Sequence, residues 1–590
     1  MDAIVSSHSW KDFTGRMGEL GESRTTEKGR AFEELTRLHL LTNPTFSTKI
    51  DEIWHHTDIP QSVVDELGLP RPEIGVDLVA RVNDGTYWAI QCKFHQDPAR
   101  NVTYEELSTF FSITERQNTY AKLSHRLVCT SAHTVSAKVS AAHQEKLAYL
   151  TSSEFSQLGQ EQFDTFRSVL EGDAPTALTP YEQRDHQARA VRNCIQYFED
   201  PEKTRGKLIH PCASGKSLTG YWCAEVMSAK TILIAVPSLA LVRQTLDTWT
   251  REAIANGIDM SWIAVCSDQD VSRSDDPSMQ TFDLGIQVDT DSNVIARFLR
   301  ESKSEKTVLI TTYQSGHAVT EGVTKAGTVF DLGIFDEAHR TVGHKEKSFS
   351  HLLYDENVSV RRRIFMTATE RQFKGNSDDI ISMDDQAIYG EVFDELSFKE
   401  ALEQHPPILS DYKIISIAVT KSEIEQLINS NAFVRTDGKE WSHENDASTF
   451  ASLIALGKVI EEKNLTHVVS FHGRVSRAKE FEHLNAEVRK SDTTLTDLSS
   501  FHVNGKFSTG DRVAIIERFL EAETSLLTNA RCLTEGVDVP AIDGVLFADP
   551  KRSKIDIVQA AGRALRRFEG KEYGYIIIPV VIDEESGAPQ

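Results

Sequence analysis

One short stretch, residues 332–339, limits most strongly what this chain can fold into. Four mostly apolar residues run directly into Asp336 and Glu337, which are followed by an alanine and a histidine. A short apolar run of this kind is typical of a buried strand in a parallel sheet. Ligands of such sheets bind at the carboxyl ends of the strands, where these two acids would project. We therefore expect Asp336 to hold Mg²⁺ and Glu337 to orient a water molecule for attack on a γ-phosphate.

A phosphate-binding loop is predicted upstream of this strand, at residues 210–217, which read His-Pro-Cys-Ala-Ser-Gly-Lys-Ser. Backbone amides around Gly215 and the start of the following helix would cradle phosphates. Lys216 would reach the β- and γ-phosphate oxygens, and Ser217 would bind Mg²⁺. The strict pattern begins with glycine where this chain has histidine. Together with the acid pair, the loop predicts ATP binding.

Further apolar runs with polar tips surround these two motifs, at residues 231–239, 308–315 and 364–369. Because helical stretches separate them, they predict a parallel α/β sheet. At the strand ends, Pro237, Ser238 and Thr312 would contact DNA phosphates. For each hydroxyl alone a helix N-cap is at least as good an interpretation, but their shared position favours binding. Gln187, at the start of an amphipathic segment, would read an adenine edge, or would simply cap a helix.

A second series of apolar strands begins near residue 414 and predicts a second sheet. Residues 467–478 fit a strand followed by a helix start, where Arg474 or Arg477 would hold a DNA phosphate. Farther along, a turn would bring Asp538 close to the ribose of the nucleotide.

Two arginines near the end of this second half complete the nucleotide site. Arg563 and Arg566 lie three residues apart in a helical segment and therefore share a face. Facing the first half across a cleft, they would touch the γ-phosphate as arginine fingers. ATP binding would then close the cleft and hydrolysis would open it.

The first 170 residues carry a different pattern. Residues 75–93 read as two strands joined by an Asn-Asp-Gly turn, a strong hairpin signal. Gln91 and Lys93 share one face of the second strand, and strand pairing can bring them near Asp77. An acid, an amide oxygen and a lysine on one face suit metal-dependent hydrolysis. Asp77 and Gln91 would be Mg²⁺ ligands, and Lys93 would stabilise developing charge or position water.

This constellation resembles the PD-(D/E)xK nucleases, in particular the Mrr-like restriction branch. In that branch glutamine replaces the usual second acid, and a glutamate on the first helix, here Glu33, completes the metal shell. The resemblance covers about residues 20–135. The alternative is a degenerate fold that binds DNA without cutting it.

Residues 180–580 resemble superfamily 2 helicases and translocases of the DEAH-bearing restriction type. A Mrr-like nuclease ahead of such a motor resembles the front half of type ISP restriction–modification enzymes. The resemblance implies double-stranded DNA as the substrate, with methyltransferase and target-recognition domains after the motor. We see no methyltransferase motif before Gln590, so we expect either a fragment of such an enzyme or a stand-alone nuclease–motor acting in defence against foreign DNA.

Composition limits the surroundings in which this chain works. The net charge of −24 gives no support for non-specific binding to nucleic acid, so DNA contacts must be local. Seven dispersed cysteines without a C-x-x-C pair indicate a reduced, cytoplasmic protein, which the restriction resemblance makes bacterial. No apolar run approaches the roughly 18 residues of a transmembrane helix, and we expect no membrane partner.

The predicted fold class is α/β, with a PD-(D/E)xK nuclease fold followed by two RecA-like parallel-sheet domains. The expected boundaries are a nuclease at 1–170, a linker at 171–180, and ATPase domains at 181–375 and 376–590. Three functions compete: an ATP-driven restriction enzyme, a DNA repair or mobile-element helicase whose nuclease-like domain only binds DNA, and a nucleotide-switched scaffold without catalysis. The full set of motor motifs speaks against the third.

Overall fold

The structure is a computed structural model, and its description covers most of the chain. The described residues are 2–21, 23–71, 74–143, 145–267, 279–344, 348–373, 380–430, 443–491, 498–504, 507, 509–529, 541–549, 562 and 571–582. They form an N-terminal domain and two lobes, each built on its own sheet. In this part of the chain, no helix is both long and apolar enough to cross a membrane.

The N-terminal domain is a twisted sheet with helices around it. Its strands are β1 (Ile50–His55), β2 (Leu78–Val82), β3 (Tyr87–Lys93), β4 (Leu123–Thr130) and β5 (Leu147–Leu150). Its helices are α1 (Asp2–Val5), α2 (Trp10–Glu19), α3 (Thr25–Thr42), α4 (Pro44–Ser47), α5 (Gln61–Leu67), α6 (Tyr104–Thr114), α7 (Gln117–Lys122), α8 (Ala137–Ala142), α9 (Ser152–Phe155) and α10 (Gln160–Leu170).

The predicted hairpin forms the centre of this domain. Strand β2 pairs antiparallel with β3, placing Leu78 opposite Ile90, while β3–β4 and β4–β5 are parallel. The Asn-Asp-Gly turn forms because Gly85 takes a positive φ of 82° and the Asp84 carboxylate accepts a hydrogen bond from the Thr86 amide. The register places Asp77, one residue before β2, beside the end of β3. Residues 171–180 follow α10 without regular structure and are mostly exposed, as expected of a linker.

The first lobe has a parallel sheet in the order β14-β6-β12-β10-β7-β9-β8. The strands are β6 (Arg205–Ile209), β7 (Thr231–Val236), β8 (Met260–Val265), β9 (Lys306–Thr312), β10 (Phe330–Phe335), β12 (Val360–Thr367) and β14 (Glu391–Glu395), with β11 (Gly343–His344) and β13 (Ile380–Ile381) as a separate pair. The helices are α11 (Asp185–Phe198), α12 (Lys216–Val226), α13 (Leu239–Ala255), α14 (Ser292–Glu301), α15 (Gly316–Ala326), α16 (Gln386–Tyr389) and α17 (Phe398–Glu403).

The first lobe extends farther along the chain than the expected end at residue 375. Strand β14 pairs in parallel with β6, so Glu391–Glu395 belongs to the first sheet. The expected boundary at residue 375 was placed after the last apolar run with a polar tip, residues 364–369. Strand β14 has an exposed, acidic edge in place of an apolar run, and therefore carries no buried-strand signal.

The second lobe is also a parallel sheet, in the order β15-β20-β19-β16-β18-β17. Its strands are β15 (Asp411–Thr420), β16 (His467–Phe471), β17 (Ser499–Val503), β18 (Ser525–Asn529), β19 (Gly544–Phe547) and β20 (Tyr573–Ile582), and its helices are α18 (Lys421–Ser430), α19 (His443–Lys463), α20 (Val475–Ser491) and α21 (Thr509–Glu521). The two lobes and the N-terminal sheet together give the α/β class that the sequence predicts.

The N-terminal domain packs on the first lobe through a buried polar network. Helix α13 supplies Arg243, whose guanidinium donates to Glu154 at 2.9 Å and to Asp247 at 2.9 Å. The Glu154 carboxylate also contacts His39 on α3 at 3.0 Å, and Thr45 donates to Asp247. Burial alone would raise the pKa of Glu154, but the charge of Arg243 and the contact with His39 hold it at about 2. The interface therefore depends on one buried cation between two acids.

Replacing Arg243 by alanine should destabilise this interface by about 3 kcal/mol, because it leaves the Glu154 carboxylate buried without its cation. Denaturant unfolding followed by tryptophan fluorescence measures the change. The same substitution at exposed Arg297 should change stability by less than about 0.5 kcal/mol.

The Arg243 effect should also depend on pH. The pKa of Glu154 is lower in the folded protein than its ordinary value of 4.5. The contribution of the Glu154 carboxylate to the free energy of unfolding is therefore complete above about pH 5 and is lost as the pH falls towards about 2. The difference between the parent and the Arg243→Ala protein should narrow on acidification. An equal difference at pH 7 and pH 3 would show that this ion pair does not hold the interface.

Candidate nucleotide and nuclease sites

The loop between β6 and α12 curls into a cradle at the amino end of α12. Gly215 has a φ of 79° and Ala213 a φ of 64°, both in the left-handed region. A side chain at position 215 would collide with Gln187, since its Cβ would lie 2.5 Å from the Gln187 Nε2. Glycine is therefore required there both by backbone conformation and by packing.

Lys216 is the first residue of α12 and points into this cradle. Its ammonium group lies 3.7 Å from a Glu337 carboxylate oxygen and 3.4 Å from the His210 carbonyl. Burial alone would lower the pKa of Lys216, but the charges of Glu337 and Asp336 raise it to about 12. The lysine is therefore a buried, fully charged cation held between the loop and the acid pair.

The acid pair lies at the carboxyl end of β10, as expected. Asp336 is buried and begins the turn after the strand, and Glu337 has a φ of 48°, which is uncommon for a residue other than glycine. Such strained backbone is concentrated at functional sites. The geometry brings Lys216, Asp336 and Glu337 together from two separate strand ends.

His339, two residues after the acid pair, is a functional candidate that sequence reasoning did not select. Burial lowers the pKa of His339 to about 4, so the ring is neutral near pH 7. Its Nδ1 lies 3.0 Å from the Thr367 hydroxyl at the end of β12 and 3.4 Å from Glu337. This histidine therefore links the acid pair to the neighbouring strand end, and its place directly after the acids was the available signal.

The histidine at the first position of the phosphate loop has a structural role. His210 is fully buried, and its Nε2 lies 2.7 Å from the Asp394 carboxylate on β14. Asp394 also accepts hydrogen bonds from Arg189 at 2.9 Å and from Asn193 at 2.7 Å, both on α11. The loop is thus anchored to the sheet edge. No local pattern could have predicted this contact, because Asp394 is distant in the sequence.

Gln187, expected to read an adenine edge, is buried beside the phosphate loop. Its Oε1 accepts a hydrogen bond from the Arg184 amide at 3.0 Å, and its Nε2 lies 3.3 Å from the Gly215 carbonyl. In this structure the amide both caps α11 and braces the loop. Adenine recognition by Gln187 remains a prediction.

The second lobe faces the phosphate loop at one described position. A Cβ added to Gly562 would lie 3.4 Å from the Cβ of Cys212 in the loop. Arg563 and Arg566, the predicted arginine fingers, directly follow this glycine, but they and Asp538 lie outside the described residues. Gly562 nevertheless brings the start of their segment to the loop that holds Lys216.

The predicted DNA-contacting residues lie at neighbouring strand ends of the first lobe. Val236, the last residue of β7, pairs with Thr312 at the end of β9, so Pro237, Ser238 and Thr312 lie close together. The Ser238 hydroxyl oxygen is buried and has no hydrogen-bond partner within the described chain. In the second lobe Arg474 is exposed just before α20. Their contacts with DNA remain predictions.

The nuclease candidates meet at the end of the hairpin. One Asp77 carboxylate oxygen accepts hydrogen bonds from the Gln91 Nε2 at 2.5 Å and from the Cys92 amide at 2.6 Å. Burial first, then the neighbouring Cys129 and the charges of Asp77 and Glu33, raise the pKa of the Cys92 thiol. Both carboxylates therefore lie within electrostatic reach of Cys92, with Glu33 supplied by α3. Lys93 follows on the same strand and is half-buried.

The donor sets at both places fit Mg²⁺. In the phosphate loop, the Ser217 hydroxyl oxygen is buried without a hydrogen-bond partner among the described residues, and it lies next to Lys216. In the nuclease, carboxylate, amide and main-chain carbonyl oxygens are the hard ligands that Mg²⁺ prefers. Among the described residues, no group of three or more His, Cys, Asp or Glu side chains could hold a metal ion, so a metal bound in the nuclease domain would also need the Gln91 amide and a backbone oxygen.

Three family models match consecutive parts of the chain. A restriction endonuclease model matches residues 41–171, the res subunit of type III restriction enzymes matches 180–372, and the conserved C-terminal helicase domain matches 451–568. The chain thus matches a restriction endonuclease domain followed by helicase domains. The order of these matches is the order of the N-terminal domain, the first lobe and the second lobe.

A solved structure described as the ATP-dependent type ISP restriction–modification enzyme LlaBIII bound to DNA is similar over 98% of this chain and 38% of that chain, with a TM-score of 0.78 and 26% identity. A probable helicase of African swine fever virus is 27% identical over 415 residues, 69% of this chain and 42% of the relative. The DNA 3'-5' translocase XPB2 of Sulfurisphaera tokodaii is 22% identical over 432 residues, 69% of this chain and 83% of the relative. The chain thus spans less than half of LlaBIII and of the viral helicase.

Proposed function

We propose that this chain is an ATP-dependent DNA translocase joined to a Mg²⁺-dependent endonuclease, and that it restricts foreign DNA in a bacterial cytoplasm. One observation carries the proposal: a single chain brings Lys216 to Glu337 in one candidate site and Gln91 to Asp77 in another, and a buried interface joins the two domains. The similarity to LlaBIII, which extends through all three parts, supports it.

The motor site would work by holding charge in place. Lys216 would bind the β- and γ-phosphates of ATP, Ser217 and Asp336 would hold Mg²⁺, and Glu337 would orient the attacking water. At either site the metal would supply neutralisation of phosphate charge. Arg563 and Arg566 would sense the γ-phosphate from the second lobe, while Asp538 would lie near the ribose. Closing and opening of the cleft would then move the two lobes along DNA.

Because the net charge of the chain is −24, DNA would be bound by a few small surfaces and not by the protein surface as a whole. Pro237, Ser238 and Thr312 in the first lobe and Arg474 in the second would grip the phosphates of double-stranded DNA. Glu33, Asp77 and Gln91 would hold the nuclease metal, and Lys93 would stabilise the charge that develops during cleavage. In a full type ISP-like enzyme, methyltransferase and target-recognition domains would complete the polypeptide.

Plasmid cleavage in the presence and absence of ATP tests this proposal. We expect cleavage that requires both Mg²⁺ and ATP, because the motor must bring the nuclease to its site. Gel electrophoresis of supercoiled plasmid measures the product. ATP hydrolysis without any cleavage would instead favour a helicase whose nuclease-like domain only binds DNA.

A further inference from the structure

The nuclease domain touches both lobes of the motor, but in two different ways. Its interface with the first lobe contains the buried Arg243 network and a continuous apolar core. Its contact with the second lobe is made mainly by α21. A movement of the second lobe relative to the first would therefore leave the nuclease with the first lobe and change the contact with α21.

The contact with the second lobe is tightest at Gly510, near the start of α21. A Cβ at this position would lie 1.5 Å from the His133 carbonyl oxygen and 3.2 Å from its Cα. Backbone therefore rests directly on backbone, with no room for a side chain. Farther along α21, the Glu517 carboxyl lies beside Ser156 of the nuclease domain: burial and the charge of Glu521 raise its pKa, and Ser156 lowers it. We call the pairing of Gly510 with His133 the lobe–nuclease contact.

His133 belongs to a loop that is bonded to the end of the nuclease strand β3. The Thr130 hydroxyl and the Ser131 amide both donate to the Lys93 carbonyl, at 2.8 and 3.3 Å. The Ser131 hydroxyl oxygen accepts a hydrogen bond from the His95 amide at 2.6 Å, and the His133 amide donates to the Pro98 carbonyl at 2.7 Å. The backbone at His133 is therefore connected through hydrogen bonds to the end of β3 at Lys93.

We propose that the lobe–nuclease contact positions Lys93, so that DNA cleavage depends on the state of the motor. The inference rests on the proposed function and adds its regulation. In this structure, Gly562 of the second lobe lies against the phosphate loop, and Gly510 of the same lobe lies against His133. Both contacts therefore form at one and the same orientation of the second lobe. Closing the cleft makes the contact and holds Lys93 in place. Opening the cleft breaks it and stops cleavage.

Gly510→Ala tests the proposal with the smallest possible change. The new methyl group must displace the His133 backbone. Gly457→Ala is the matched control, because it lies on helix α19 of the same lobe and its Cβ would meet no described atom within 4 Å. We expect ATP-dependent plasmid cleavage by Gly510→Ala to fall by about tenfold or more, since misplacement by 1 Å costs up to about 100-fold. ATP hydrolysis and DNA affinity should match those of the control.

A second variant, Glu517→Ala, and a second measurement, hydrogen exchange, test the same contact. Glu517→Ala removes the carboxyl that lies beside Ser156 without adding bulk, and should also lower cleavage. Hydrogen exchange at the amides of Ser131 and His133 should slow in the parent on addition of a non-hydrolysable ATP analogue, and should not respond in Gly510→Ala. Parent-like cleavage in both variants, or exchange that ignores the nucleotide in the parent, would overturn the coupling.

Different results would contradict the proposed nuclease function and the proposed coupling. A parent protein that hydrolyses ATP but cuts no DNA contradicts the proposed nuclease function. Exchange at residues 131 and 133 still measures the lobe–nuclease contact in that case. A parent protein that cuts DNA while the Gly510→Ala variant cuts equally well contradicts only the coupling.

Discussion

Replacing Lys216 by alanine should abolish ATP hydrolysis, with a loss of at least about 100-fold in the DNA-stimulated rate. Lys216 is the buried cation of the proposed nucleotide site, with a pKa raised to about 12 and a carboxylate 3.7 Å away. Removing one such preorganised group from a buried site costs about 100- to 1000-fold in turnover. The variant also removes the cation that lies beside Glu337. Phosphate release with and without DNA measures the effect.

Lys230→Ala is the control for this experiment. Lys230 is an exposed lysine of the same lobe, at the opposite end of the sheet just before β7. Its replacement should leave the rate within about twofold, as is usual for a surface change of about 0.5 kcal/mol or less. Parent-like hydrolysis by Lys216→Ala would reject the phosphate-loop assignment.

Replacing Asp77 by alanine should abolish DNA cleavage while ATP hydrolysis survives. Asp77 is the buried carboxylate that accepts hydrogen bonds from the Gln91 side chain and the Cys92 amide. Even outer partners of metal ligands are worth about 10- to 100-fold in activity, so loss of a ligand should cost more than about 100-fold. Titration of Mg²⁺ against plasmid cleavage measures the effect, and excess Mg²⁺ should not restore it.

The matched control is Asp51→Ala, which removes an exposed carboxylate of the same domain. Asp51 lies on β1 and pairs with Arg81 at the surface, where an ion pair contributes little. Cleavage by this variant should equal that of the parent. If Asp77→Ala still cuts at the parent rate, the nuclease site lies elsewhere in the chain.

The parts of this fold that were predictable are those encoded by contiguous residues. The apolar run ending in Asp336 and Glu337 identified a buried strand and its polar tip, and the Asp84-Gly85 turn identified the hairpin. Each depends on side-chain period and turn chemistry within a few residues. The meeting of Lys216 with Asp336 and Glu337 was predictable for the same reason, since parallel strands present their ends at one edge.

The contacts that could not be predicted join residues far apart in the sequence. His210 looked like a departure from the phosphate-loop pattern, yet its buried bond to Asp394 explains it. Arg363 stands in a run of three arginines, residues 361–363, yet it is buried and bonded to Asp355 and to nearby carbonyls. Burial and long-range pairing decided the role of each, and neither leaves a local pattern.

The nucleotide cleft between the two lobes is the central claim, and a disulfide across it is the most direct test. Disulfides need Cβ atoms about 3.5–4.5 Å apart, and a Cβ at Gly562 would lie 3.4 Å from that of Cys212. In Gly562→Cys, mild oxidation should therefore form an intramolecular bond with Cys212, detected by non-reducing electrophoresis and mass spectrometry. ATP hydrolysis should stop on oxidation and return on reduction, and Cys212→Ser in the same background should prevent both. A Gly562→Cys protein that forms no bond with Cys212 would show that the lobes do not share this cleft.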